Sequence, residues 1–113
     1  MKAIIEILGK LGIDSVADMD INEYHTIEVD GFNDLTVEKI GENRLSVKSH
    51  YVQRGDVMSD PEIVYRVEDG EWTPVRYTQH PRIHQHDEGG LDLDGFPSDW
   101  SDNLRAQGFV EAV

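Results

Sequence analysis

Apolar residues recur at helical spacing over residues 2–12, where Ile4, Ile5, Leu8 and Leu11 fall on one stripe and Gly12 closes the run. The spacing predicts a short amphipathic helix. Residues 15–23 are polar and Asp-rich, with Val16, Ala17 and Met19 fitting one further helical turn. The period then changes from helical to two. Residues 26–30 alternate and break at Gly31, and residues 35–40 alternate again before the turn Gly41-Glu42-Asn43. Over 44–53 the alternation sets Leu45, Val47 and Tyr51 on one face against Arg44, Ser46, Lys48 and His50 on the other. Arg54-Gly55-Asp56 and Ser59-Asp60-Pro61 punctuate the chain and predict a loop.

Beyond that loop, residues 62–68 bring Ile63, Tyr65 and Val67 together, and Asp69-Gly70 is a tight-turn dipeptide between two alternating runs. Residues 72–79 form the returning strand, in which Pro74 demands an edge or a bulge. Residues 80–94, with Pro81, Gly89 and Gly90, read as irregular. A last helix opens at Pro97-Ser98-Asp99, with Ser98 as its N-cap, buries Phe96, Trp100 and Leu104, and stops at Gly108 with Phe109 folding back. These elements predict a single α+β domain over 1–113: an antiparallel meander of about four to five strands with an N-terminal and a C-terminal helix packed on it. An all-β barrel decorated by helices is the alternative.

Composition narrows the function classes. The chain has 23 acidic and 10 basic residues, a formal charge of −13, and that field opposes contact with nucleic-acid phosphates or anionic membranes. The acids, spread over every segment, fit a solvated, halophile-type surface better than one phosphate-spaced face. A carboxylate mimic of DNA that blocks a nucleic-acid enzyme is the alternative, and with either origin added salt should stabilise the fold. The chain has no cysteine, its opening residues lack the pattern of a secretory leader, and no apolar run reaches membrane length, so a cytoplasmic setting is expected.

Two groups of residues carry candidate chemistry. His84 and His86 project to the same side of any extended segment, and Glu88 follows closely, a set able to take a divalent metal for a metal-dependent enzyme. The alternative is an exposed polar loop without a cofactor. Asp56, Asp60 and Glu62 bracket a turn without calcium-loop spacing. Together with Gln53 and Arg54 they offer more polar specificity than a turn needs, which makes 53–62 the candidate binding surface for a protein partner. His25 and His50 suggest no shared cleft. No serine elbow, cysteine nucleophile or glycine-rich phosphate loop is present.

The segment Ser49-His50-Tyr51-Val52-Gln53-Arg54-Gly55-Asp56-Val57-Met58-Ser59-Asp60-Pro61-Glu62 resembles the signature HYYxQNGDxMxDPE of a family of small uncharacterised domains. The likeness continues through Trp72-Thr73-Pro74, Tyr77-Thr78-Gln79 and Trp100 to Phe109, with a looser counterpart in Asp30-Gly31-Phe32 and Asp34-Leu35. Those domains occur on plasmids, phages and integrative elements. The resemblance implies an accessory role in mobile-element biology and carries no activity. The stretch 80–88 departs from the pattern.

Overall fold

The computed structural model describes the backbone of residues 2–53, 56–79, 83–93 and 95–113, and their side chains except at 51–60 and Ile83. Helix α1 (Lys2–Lys10) and a single 3-10 turn (Val16–Asp18) lead into six strands: β1 (Tyr24–Ile27), β2 (Asp34–Gly41), β3 (Arg44–Gln53), β4 (Asp56–Glu68), β5 (Glu71–Gln79) and β6 (Ile83–His86). Helix α2 (Phe96–Ala106) follows. The strands form one sheet in the order β1-β2-β3-β4-β5-β6, every neighbouring pair antiparallel. The expected meander with a helix at either end is therefore present, with six strands rather than four to five.

Both helices end by the same device. Gly12 and Gly108 adopt φ +82° and +93°. Ile13 N–H reaches back to the Leu8 carbonyl and Phe109 N–H to the Leu104 carbonyl, while the glycine amides bond to Gly9 and Arg105. This paired pattern is the Schellman motif, and it turns an apolar residue back onto the helix it terminates. Phe109 is 1 % exposed there. The start of α2 departs from expectation: Gly95 is the N-cap, Pro97 lies in the first turn, and Ser98 sits inside the helix.

Period two fixes the sheet faces. Leu35, Val37, Leu45, Val47, Ile63 and Tyr65 point to one side and join Ala3, Ile4, Ile7, Trp100, Leu104 and Phe109 in the core. The helices also meet each other. Ala3 N–H donates to Ser101 Oγ at 2.9 Å, Lys10 Nζ to the Val110 carbonyl at 2.9 Å, and Arg105 pairs with Glu6 at 3.0 Å. Lys39 is the exception on the covered face: buried, it donates to the Met19 carbonyl at 2.8 Å and ties the 3-10 turn to the sheet.

Two corrections concern strand continuity. The ladder pairs Lys48 with Glu62 and His50 with Ser59, so Asp60 and Pro61 together oppose Ser49 in a bulge. Proline lacks the N–H that a regular ladder position uses, and the bulge removes that demand. β4 consequently runs from Asp56, through the predicted loop, to Glu68. A second register shift lies where Val64 and Tyr65 face Arg76 and Pro74, which accommodates Pro74 as expected. The stretch expected to be irregular contains β6, paired through Arg76↔His86 to Gln79↔Ile83. No helix among the described residues is long and apolar enough to cross a membrane.

Candidate functional site

The face of the sheet turned away from the helices is the polar one. Cross-strand pairing places Tyr24, Glu38, Ser46, Val64, Arg76 and His86 in one row across all six strands. Thr26, Thr36, Lys48, Glu62, Thr78 and His84 form the next row. Arg44 and Arg66 pair beside the first row. Among the described residues, four basic side chains of this acidic chain, those of Arg44, Lys48, Arg66 and Arg76, thus share the open face.

Hydrogen bonds knit the rows together. Thr26 and Thr36 hydroxyls lie 3.0 Å apart, and Thr36 Oγ1 is 2.8 Å from His50 Nε2. Ser46 Oγ, 1 % exposed as a residue, donates to Glu62 Oε2 at 2.5 Å, and Arg76 approaches the same oxygen at 3.9 Å. Glu88 closes the end of the face. Its carboxylate accepts from Arg44 Nη2 at 2.6 Å and from His86 Nε2 at 3.0 Å, while Arg66 donates to its backbone carbonyl. The bonds from His86 and Arg44 hold the Glu88 carboxyl below its ordinary pKa of 4.5. Glu23 is lowered in the same way by His25, 2.9 Å away, and by the Asp20 amide.

β3 and β4 outrun their neighbours. β2 ends its pairing at Asp34↔His50, and β5 ends its pairing with β4 at Glu62↔Thr78. The rungs Tyr51↔Met58, Val52↔Val57 and Gln53↔Asp56 therefore project as a two-stranded arm, without a third strand among the described residues.

The residues singled out from the sequence distribute along this ribbon. Gln53 and Asp56 make its last described rung, Asp60 lies in the bulge at its base, and Glu62 sits inside the open face. Arg54 lies outside the described residues. The predicted surface is thus a two-stranded arm running into the sheet, rather than a loop. His84 and His86 do share a side of β6, but they take different partners: His84 Nδ1 is 3.0 Å from Thr78 Oγ1, and His86 pairs with Glu88. Among the described residues no three His, Asp or Glu side chains are gathered to hold a metal ion. His25 and His50 lie on opposite faces, as Val37 and Asp34 opposite them indicate. Sequence reasoning missed the convergence of Arg44, Arg66 and His86 on Glu88. Alternation in β4 could have placed Arg66 beside Arg44, but nothing local announces Glu88.

Fold and site together define a class: an antiparallel meander covered by helices on one face, with a hydrogen-bonded polar face on the other and a projecting two-stranded arm. The chain belongs to a family known as a domain of unknown function (DUF6908), whose model matches residues 2–110. No curated protein and no solved structure matches it.

Proposed function

We propose that the protein is a non-catalytic binding domain that engages a protein partner through the β3–β4 arm and the adjoining open face. The observation that carries this reading is the arm itself, three rungs that no third strand among the described residues supports. Two-stranded ribbons are marginal in water on their own, and this one contains Tyr51, Val52, Val57 and Met58. A partner surface laid against the ribbon would cover those residue types and meet Gln53 and Asp56 at its last described rung and Asp60 at its base. The likeness of residues 49–62 to domains of plasmids, phages and integrative elements supports an accessory role in such elements, because the shared signature falls on the arm.

Capture of partners from cells of the source, with wild type and the folded variants Gln53→Ala and Asp60→Ala as bait, tests the reading. A protein retained by wild type and depleted by both variants is the expected result. Equal recovery would overturn it. Metal analysis of protein purified without nickel resin addresses the competing chemistry. A stoichiometric transition metal would replace this reading with a metal-dependent one at His84, His86 and Glu88.

A further inference from the structure

At the end of β4 opposite the arm, a cleft of ≈ 230 Å³ opens between α1, the segment 13–17 and the β4–β5 turn. Its apolar lining includes Leu8, Val16, Val67 and Trp72, and its polar lining includes Asp14 and Asp69. We propose that this cleft is a docking site for one basic side chain of a protein partner, a cation carried on an apolar stem. The site is distinct from the arm and stands or falls without it.

Three observations select that occupant. The volume falls short of the roughly 300–1,000 Å³ typical of small-molecule and cofactor pockets, which suits a single side chain better than a whole ligand. The lining is divided, with apolar groups to take a stem and two exposed carboxylates to meet a charge. Neither Asp14 nor Asp69 has an ion-pair partner among the described residues, and the protein's −13 field draws cations toward them.

Trp72 adds a second attraction, because an aromatic indole face is the best cation–π surface among the side chains. The ring is held in place by an edge-on contact with buried Tyr65, centroids 5.3 Å apart. Ile5, 48 % exposed, extends the apolar lining on the α1 side and offers contact to residues flanking the basic one. An anion or a neutral polar group would gain nothing from this combination.

The test uses the full chain and the two indole N–H resonances, Trp72 being assigned by its persistence in Trp100→Phe. Nα-acetyl-lysine methylamide and Nα-acetyl-arginine methylamide are the probes, and Nα-acetyl-norleucine methylamide supplies the stem without the charge. The expected result is a saturable shift of the Trp72 resonance with at least one basic probe. The charged probe should bind at least about fivefold more tightly than norleucine, and Asp14→Asn with Asp69→Asn should remove that advantage. Asparagine is the replacement of choice because residue 69 holds φ +52°, which Asn tolerates. No saturable shift, equal binding of norleucine, or an unchanged double variant would each overturn the proposal. Gln53→Ala should leave the shift intact, so loss of the arm reading and loss of this one are separately visible.

Discussion

On the covered face of the sheet Val47 is wholly buried, and on the open face Val64 is 3 % exposed, yet the two are buried for different reasons. Val47 belongs to the core cluster that the helices complete, whereas Val64 lies outside it. The ladder flanks Val64 with Ser46 on one side and Arg76 on the other, and long polar chains such as Arg76 bury their stems over neighbours while keeping their heads in water. Burial on one face is a matter of apolar area. On the other it depends on a set of hydrogen bonds that must stay satisfied. The contrast explains how a chain that is only 38 % hydrophobic can still bury both sides of its central strands.

The sharpest way to test the covered face is to hollow it. Ile63→Ala, at a fully buried position, should cost about 2–5 kcal/mol in chemical denaturation, and a smaller loss would mean the helices collapse into the space. The comparison itself is broken or upheld by matched substitutions. Val47→Thr should cost about 1–3 kcal/mol because its hydroxyl enters an apolar layer. Val64→Thr should cost less than about 1 kcal/mol, since Ser46 and Glu62 already make that face polar; equal losses would erase the distinction.

Tyr65 sharpens the same point from inside the core. Its hydroxyl is buried without a hydrogen-bond partner among the described residues, and burial pushes its pKa far above the ordinary 10. Tyr65→Phe is expected to raise stability by up to about 1 kcal/mol, whereas a marked loss would reveal a bond that the hydroxyl makes. The smallest effect belongs to Glu88. Because its folded pKa is lowered, its contribution is present above about pH 4.5 and is lost as pH falls through the folded value. The gap in melting temperature between wild type and Glu88→Gln should therefore be visible near neutral pH and shrink in acid. A gap independent of pH would remove the carboxylate from the stabilisation.

Much of this architecture was legible because local chemistry and tertiary demand agree. Gly12 and Gly108 announced helix ends that the structure realises with positive φ, and Asp69-Gly70 announced a hairpin whose residues take φ +52° and +78°. Legibility failed where a neighbour changes the meaning of a residue. Pro61 reads as a breaker until Ser49 is known to face a bulge. β6 has only Ile83 as an apolar residue among His84, Gln85 and His86, so its strand character comes from pairing with β5 rather than from an apolar stripe. The N-cap of α2 was placed late because Ser98 has the better capping side chain, while Gly95 supplies the left-handed entry. At the site, alternation correctly grouped Arg44, Ser46, Lys48 and His50. Glu88 lies 44 positions from Arg44, beyond the reach of any local pattern.

The bond between Ala3 and Ser101 has a consequence for how the chain is born. Every strand pairs with its neighbour in sequence, so the sheet can zip up by short steps as the polypeptide emerges from the ribosome. Its lid cannot: α1 is made before the sheet, but its partners Ser101 and Arg105 arrive 98 and 99 residues after Ala3 and Glu6. Until then the residues of α1, but not those of α2, can cover the face that carries Leu35, Leu45 and Ile63. Release of α2 is thus the step that ends the aggregation-prone interval, and a translational pause before residue 96 would prolong it.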